Sequence, residues 1–293
     1  MEIKAKKKNR YNNVILIPTD FSAVCENAIM HGIELAKILH YDICILHVID
    51  RKTEIALAKE NLGLESVNLN LLKYQEKYGP LFPGEIKTLT KEGNIFKLIG
   101  QAATDLKANI VIMGTHGKQG LQHLFGSHAL KVVLDSPCPV IVVQKRSIEN
   151  GYHKIVLPIS NEIEPRQAVE WVLLMSHLFS SKILIYQSLE QDPGLNSRLK
   201  VITGQIIKIF EEKKILFDIM IAEKPNDFSA QVISHAVSNM ADLIMIMTMP
   251  AEDLTSGFSF SAWDERIMFN EAQIPVMCIN PIELGDYYYE WMM

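Results

Sequence analysis

Several features that would assign the chain to a class of proteins are scarce or missing. The 293 residues include only four cysteines, and no two of them form a C-x-x-C pair, so the sequence predicts neither a zinc site nor a disulfide framework. No apolar run approaches the roughly 20 residues that a membrane-spanning helix needs. The basic start, MEIKAKKKNRYNN, is not followed by the apolar stretch of a secretion signal. These absences predict a cytoplasmic protein that does not enter a membrane.

The motifs of several nucleotide-handling and hydrolytic enzymes are missing as well. The chain has no G-x-x-x-x-G-K-[ST] phosphate loop, no G-x-G-x-x-G after its first predicted strand and no G-x-S-x-G turn. His116, His123 and His128 lie close together, but no cysteine or carboxylate in the same segment completes a metal-ligand set. The formal net charge of −5 argues against a nucleic-acid-binding protein. The sequence thus predicts no catalytic residue, no metal site and no nucleic-acid partner.

The most informative feature that is present is an internal repeat. The segment NNVILIPTDFSAVCENAI, from Asn12, matches YHKIVLPISNEIEPRQAV, from Tyr152, and SPCPVIVVQ, from Ser136, matches EAQIPVMCIN, from Glu271. The order and spacing agree, and the period is far longer than that of a solenoid. Because the length also suits two domains, we predict tandem domains over 1–146 and 147–293.

Each copy alternates apolar strands with helical stretches, which predicts an α/β fold. Strands that are apolar throughout are typical of parallel sheets covered on both faces, so we expect two doubly wound domains, each with a five-stranded parallel sheet. The predicted strands are Val14–Pro18, Ile43–Val48, Glu85–Thr90, Ile110–Met113, Val140–Val143, Lys154–Ile159, Lys182–Gln187, Asp218–Ala222, Leu243–Met247 and Val276–Ile279. The predicted helices are Ala23–Leu39, Val67–Lys77, Ile95–Leu106, Ser127–Leu134, Arg166–Phe179, Arg198–Lys213, Ala230–Met240 and Ala262–Asn270.

A glycine-rich loop, MGTHGKQGLQHLFGS from Met113 to Ser127, joins the fourth predicted strand to a helix. Glycine accepts positive φ and lets the backbone approach another group closely. A helix start presents unpaired N–H groups and the positive end of the helix dipole. Since doubly wound sheets bind ligands at the carboxyl ends of their strands, the loop predicts a phosphate site. Asp20, after the first strand, is expected beside the pocket as a hydrogen-bond acceptor, or else as a helix cap.

These segments resemble the universal stress protein family. Its nucleotide-binding members carry glycine, two residues, glycine, nine residues, and then glycine with serine or threonine. This chain has Gly114-Thr-His-Gly117 and, after eight residues rather than nine, Gly126-Ser127. ILIPTDFS and SPCPVIVV fit the family too, and the resemblance covers both halves. It implies two tandem domains of the nucleotide-binding α-hydrolase-like fold, whose fifth strands pair in place of the dimer of single-domain relatives.

The resemblance also implies which residues would bind ATP or a related adenine nucleotide. Asp20 would lie near the ribose or the adenine, and the backbone of Val48 would meet the adenine edge. The segment from Gly114 to Gly117 would line the phosphates, and Ser127 would close the loop. The full set of implied contacts is Pro18, Thr19, Asp20, Val48, Met113, Gly114, His116, Gly117, Gly126 and Ser127. Whether magnesium accompanies the nucleotide is left open.

The second copy has lost this motif. Met247 and Pro250 stand where the first copy has the first two glycines of the motif, and Ser160 stands in place of Asp20. Proline has no N–H to donate, and the acidic pair Glu252–Asp253 would repel phosphate. We therefore expect a degenerate second domain. The aromatic residues expected to fill its pocket or to pack on the protein are Phe258, Phe260, Trp263 and those of the tail Gly285–Met293.

The leading hypothesis is a cytoplasmic stress-response protein that binds an adenine nucleotide in its first domain and acts as a regulatory or signalling module. One alternative is a weak ATP hydrolase, for which only Asp20 and His116 would be available. The other is a nucleotide-free scaffold that acts through protein contacts. Each hypothesis allows protein partners and a homodimer beside the pseudo-dimer within the chain, and none of them involves a membrane.

Overall fold

The computed structural model describes residues 12–115, 125–148, 151–161, 165–248 and 262–281, with the backbone alone for 125–128 and 262–264. The strands are β1 (Val14–Pro18), β2 (Asp42–Ile49), β3 (Ile86–Glu92), β4 (Ile110–Gly114), β5 (Val140–Val143), β6 (Lys154–Ile159), β7 (Lys182–Gln187), β8 (Phe217–Ile221), β9 (Leu243–Met247) and β10 (Val276–Ile279). The helices are α1 (Ala23–Leu39), α2 (Arg51–Lys59), α3 (Glu65–Tyr78), α4 (Ile95–Leu106), α5 (Phe125–Asp135), α6 (Arg166–Phe179), α7 (Pro193–Glu212), α8 (Phe228–Ser238) and α9 (Ala262–Met268).

These strands form one sheet in the order β3-β2-β1-β4-β5-β10-β9-β6-β7-β8. Neighbouring strands are parallel within each half, and β5 and β10 pair antiparallel in the middle. Read inward from either edge of the sheet, each half has the same order of its own strands: third, second, first, fourth and fifth. The predicted α/β fold with a five-stranded parallel sheet in each half is confirmed, and so is the pairing of the two fifth strands.

Both faces of the sheet are buried, because the strands are apolar at successive positions. Ile15 and Ile17 lie in the core on one face and Leu16 lies in the core on the other, all of them fully buried. The four cysteines are free and buried, including Cys44 and Cys278, which the sequence places in the core. Within the part of the chain that the structure describes, no helix is long and apolar enough to span a bilayer.

Polar side chains tie the two halves together beside the β5–β10 pair. The side-chain amide of Gln144 donates to the carbonyl of Asn270 at 3.1 Å. The side-chain amide of Asn280 donates to the carbonyls of Val133 and Ser136 at 2.6 and 3.0 Å. Each amide follows a fifth strand directly and reaches the end of a helix in the other half. The junction is therefore held by side-chain bonds as well as by the strand ladder.

A buried histidine of α1 binds the connection between the halves. His31 Nε2 lies 3.0 Å from the carbonyl of Arg146, and its Nδ1 lies 2.9 Å from the hydroxyl of Tyr152. Since a carbonyl only accepts hydrogen bonds, Nε2 carries the proton and Nδ1 accepts from the tyrosine. Burial lowers the pKa of His31 to about 4, so the ring is neutral at pH 7.

Some predicted boundaries were wrong. Helix α2 was not predicted; it is a helix of nine residues, none of which is buried. Helix α3 begins at Glu65, two residues before the predicted start at Val67, and the Ser66 hydroxyl in its first turn donates to the carbonyl of Gly63. Helix α5 begins at Phe125, two residues before the predicted start at Ser127. Helix α7 begins at Pro193, which suits a first helical position, so the predicted start at Arg198 was late.

Candidate functional site

A cleft of about 940 Å³ opens at the carboxyl ends of β1, β2 and β4. In the sheet order, β1 lies between β2 and β4. The chain adds β2 and β3 on one side of β1 and then adds β4 and β5 on its other side, so the direction of the strand order reverses at β1. Such a reversal leaves a crevice at the strand ends, where doubly wound folds bind their ligands. The volume lies within the range of about 300–1,000 Å³ that small-molecule sites occupy.

Six of the ten residues predicted for the site line this cleft. They come from three segments that are far apart in the sequence. The six are Pro18, Thr19, Asp20, Val48, Met113 and Gly114. Of the other four, His116 and Gly117 lie outside the described residues, and Gly126 and Ser127 lie in the first turn of α5, where the backbone alone is described. Their contact with a ligand stays a prediction.

The turn after β1 has a constrained backbone. Phe21 has a φ of 64°, in the left-handed region that residues with a side chain rarely adopt. Two local bonds hold this conformation: the N–H of Phe21 donates to Thr19 Oγ1 at 3.0 Å, and the N–H of Ser22 donates to Asp20 Oδ1 at 2.9 Å. The carboxylate of Asp20 therefore has a structural role in the turn and also lines the cleft. Ser22 is the N-cap residue of α1, but its side chain makes no capping bond.

Aromatic side chains pack behind this turn. The ring of Phe21 stacks on His47 with centroids 4.6 Å apart and meets Tyr74 of α3 edge-on at 5.5 Å. Tyr74 in turn donates to Glu26, which also accepts from Lys77 at 2.6 Å. The contacts join α3 to the start of α1 and support the turn that carries Asp20.

His47 is neutral at pH 7. Burial lowers the pKa of its ring, and the hydrogen bond to the carbonyl of Thr19 opposes this effect only in part. The ring is 5 % exposed, and its Nδ1 lies 2.8 Å from that carbonyl. Nδ1 therefore carries the proton, and Nε2 has no hydrogen-bond partner among the described residues.

Cys25, in the first turn of α1, also lines the cleft. Burial, and after it the charge of Asp20, raise the pKa of its thiol to about 12. The thiol is therefore protonated at pH 7 and is not a nucleophile. Where the structure describes the chain, no three histidine, cysteine or acidic side chains are grouped as a metal site would require.

Gly114, at the end of β4, lies against the start of α1. A Cβ atom at this position would lie 2.5 Å from the carbonyl oxygen of Val24 and 2.8 Å from the amide nitrogen of Cys25. Both are backbone atoms, so a side chain here would displace the helix or the strand. The first glycine of the motif thus has a packing role, which the sequence alone does not reveal.

The opposite wall of the cleft comes from residues that sequence reasoning missed. Asp50 caps α2 by accepting from the N–H of Thr53 at 2.9 Å, and Asn94 caps α4 by accepting from the N–H of Phe96 at 3.0 Å. Arg51, the first residue of α2, and Phe96 of α4 also line the cleft. An Asp or Asn before a helical stretch is a capping signal. The predicted start of α4 at Ile95 agrees with the cap at Asn94, and the same signal in HVIDRK would have identified the start of α2. Two helix N-termini and apolar walls suit a flat apolar ligand that carries an anionic group.

The same end of the second half has a different chemistry. Pro158 and Pro18 occupy the same register position, so Ser160 matches Asp20 and Gln187 matches His47. Met247, which is buried, stands where β4 has Gly114. Pro250, Phe258, Phe260 and the tail Gly285–Met293 lie outside the described residues, and Trp263 is described by its backbone only. The filling of a second pocket by aromatic residues stays a prediction.

Comparison with known proteins places these features in one family. The family model described as "Universal stress protein family" matches residues 12–144. The chain is similar to the universal stress protein MJ0531 of Methanocaldococcus jannaschii, with 32% identity over 145 residues, which cover 47% of this chain and 85% of that protein. A second protein of that organism, universal stress protein MJ0577, is 29% identical over 159 residues and is covered to 95%.

A solved structure extends the likeness to nearly the whole chain. The crystal structure of a universal stress protein from Archaeoglobus fulgidus superposes with a TM-score of 0.66 and 15% identity, and the match covers 92% of this chain and 98% of that one. At this identity the match shows the fold alone. The fold that the two halves form together therefore also occurs in another single chain.

Proposed function

Because the chain belongs to the universal stress protein family, we propose that the cleft of its first half binds ATP or a related adenine nucleotide. We further propose that the protein is a regulatory binding module in a stress response. The carrying observation is that six predicted contact residues, from three distant segments, line one cleft at the reversal of the sheet order. The family membership indicates which residues would contact a nucleotide, and the structure brings six of them together at one cleft.

The cleft fits such a ligand in shape and in chemistry. Its mostly apolar lining, which includes Val48, Phe96 and Met113, suits a planar base. Asp20 offers a carboxylate to ribose hydroxyls, which are hydrogen-bond donors. The loop after Gly114, with His116, Gly117, Gly126 and Ser127, would supply N–H groups and a helix start to the phosphates. Bound ATP would supply a base, a sugar and a charged phosphate chain. Whether magnesium accompanies the nucleotide is left open.

The second half is proposed to have kept the fold and lost the site. We propose tandem domains over 1–146 and 147–293, and the pairing of β5 with β10 supports an intrachain pseudo-dimer. Ser160 cannot supply the charge of Asp20, and the buried side chain of Met247 occupies the place of a glycine. The cytoplasmic location and a homodimer stay predictions.

The proposal is tested by equilibrium binding of labelled ATP to purified protein freed of ligand. Asp20→Asn keeps an oxygen for the Ser22 N–H but removes the charge, so affinity should fall about tenfold, because a hydrogen bond to a charged group is worth roughly 1.5–3 kcal/mol. Ser160→Ala changes the matching position of the second half and serves as the control. The Ser160→Ala variant should bind ATP with the same affinity as the unmodified chain.

The two alternatives give different outcomes in the same preparation. A nucleotide-free scaffold would release no nucleotide on heat denaturation, as read by mass spectrometry, and would bind no ATP at millimolar concentration. A hydrolase would convert labelled ATP at a rate that disappears in Asp20→Ala. The proposed binding module retains or binds the nucleotide without such turnover.

A further inference from the structure

The first strands of the two halves end differently. In the second half, the N–H of Ser188 donates to the carbonyl of Ile159 at 2.8 Å, so the β6–β7 ladder continues to the last residue of β6. In the first half, β1 already ends at Pro18, one register position earlier. The groups that match Ser188 and Ile159 are the amide of Val48 and the carbonyl of Thr19. The Val48 amide and the Thr19 carbonyl form no hydrogen bond with each other.

The carbonyl of Thr19 has a different donor. His47 Nδ1 lies 2.8 Å from it, and this nitrogen carries the proton because a carbonyl only accepts. In the second half the matching residue is Gln187, whose side-chain oxygen accepts from Thr203 of α7 at 2.8 Å. In the half that has the cleft, the carbonyl after the first strand, that of Thr19, thus accepts its hydrogen bond from a histidine ring.

The N–H of Val48 points to the place where the hydrogen bonds between β1 and β2 have ended. In a parallel strand, the N–H and C=O of one residue point to the same side and alternate along the chain. Leu46 accepts from Thr19 on the β1 side, and Ile49 accepts from Gly93 on the β3 side. Val48 therefore points its N–H toward β1, at the place where the ladder has stopped and the cleft begins.

We propose that His47 is a positioning residue for ligand recognition, because it holds the Thr19 carbonyl away from Val48 and leaves the Val48 N–H for the edge of a bound base. This inference rests on the proposed nucleotide binding. An N–H donor suits a ring edge with an acceptor nitrogen, as adenine has at N1, and opposes hypoxanthine, which carries a hydrogen there. The stacked ring of Phe21 and the left-handed turn keep the imidazole in place.

The first test needs no ligand and measures amide hydrogen exchange residue by residue in the free protein. Val48 is buried and Ser188 is half-buried, so burial alone predicts slower exchange at Val48. The proposal predicts the reverse: Val48 exchanges about three- to tenfold faster than Ser188, the factor that one hydrogen bond is worth. Equal or stronger protection at Val48 would overturn it, and this comparison requires no variant to fold.

Two substitutions separate the ring nitrogen from the ring. His47→Phe keeps an aromatic ring against Phe21 but removes the donor, so the Thr19 carbonyl becomes available and Val48 should become as protected as Ser188. His47→Asn places an amide N–H close to the position of Nδ1 and should retain the fast exchange of the unmodified chain. If both variants change Val48 alike, the donor does not control its amide.

The second test compares affinities for ATP and for inosine triphosphate by calorimetry. The unmodified protein and His47→Asn should prefer ATP about tenfold, and His47→Phe should bind both nucleotides within about twofold of each other. A merely structural role of His47 would lower both affinities together and leave their ratio unchanged, which would contradict the proposal. If the unmodified protein binds neither nucleotide, the proposed function fails, and the exchange pattern still decides whether His47 controls the Val48 amide.

Discussion

The contact between Gly114 and the start of α1 predicts that Gly114→Ala destabilises the protein. The new Cβ would lie 2.5 Å from the Val24 carbonyl oxygen, about 0.9 Å inside the 3.4 Å at which ordinary contact begins. The carbonyl belongs to the helix backbone, so rotation of a side chain cannot relieve the clash. Overpacking of this kind costs about 1–3 kcal/mol. The lower entropy of the unfolded chain returns about 0.4–1 kcal/mol. The central values leave a net loss of about 1.3 kcal/mol, with an upper limit of about 2.6 kcal/mol.

A second glycine provides a matched control. Gly204 lies inside α7 and is exposed, and a Cβ there would meet nothing within 4 Å. Gly204→Ala should therefore stabilise the protein by about 0.5–1 kcal/mol, because alanine is the better helix former. The same chemical change should thus have opposite signs at the two positions.

The measurement is urea unfolding of the two variants and the unmodified chain, followed by circular dichroism. The midpoint should fall for Gly114→Ala and rise for Gly204→Ala, with the slope unchanged. A neutral or stabilising Gly114→Ala would refute the close approach of β4 and α1. Because that approach also places the turn with Asp20, ATP affinity should fall in Gly114→Ala and stay constant in Gly204→Ala.

Three further predictions concern stability away from the cleft. Burial lowers the pKa of His31 from 6.5 to about 4, so between these pH values the unfolded chain binds a proton that the folded chain does not. The free energy of unfolding should therefore keep its full value above pH 6.5 and fall by about 3 kcal/mol toward pH 4. In urea titrations at several pH values, His31→Gln should lack this pH dependence. Asn280→Ala removes the side-chain amide that donates to the Val133 and Ser136 carbonyls and should cost about 1–3 kcal/mol by the same assay, although the Val133 carbonyl keeps the Ser136 N–H; an unchanged midpoint would contradict the proposed role of these bonds at the junction of the two halves. Asp218→Ala removes an exposed ion pair with Lys182 and should change stability by less than about 1 kcal/mol, whereas a larger loss would show that the pair is not a surface contact.

The sequence predicted most of the fold, because its strongest signals are those of buried elements. The observed bounds of α1, Ala23–Leu39, agree with the predicted ones, since its apolar residues recur at helical spacing and it ends before a residue in the left-handed conformation, His40. Strands β1 and β10 were likewise predicted correctly from continuous apolar runs. Helix α2 escaped prediction because it is short and none of its residues is buried, so its main sequence signal is the capping residue Asp50.

The candidate site was only partly predictable. Asp20 could be named from its place after an apolar run and Gly114 from the glycine-rich loop, whereas Val48 was named because the resemblance to the family implied it. The approach of α1 to Gly114 and the bond from His47 to Thr19 depend on distances between segments that are remote in the chain. No local pattern encodes such distances, because they follow from how the strands assemble in the sheet.

The most direct test of the account is the stoichiometry of ATP binding to the whole chain, measured by isothermal titration calorimetry. One site per chain is predicted, because the first half has the cleft, the carboxylate of Asp20 and the glycine of β4, and the second half has Ser160 and Met247 in their places. Asp20→Asn should lower the affinity of that site, and Ser160→Ala should leave it unchanged. Two sites per chain, or none at millimolar ATP, would contradict the account.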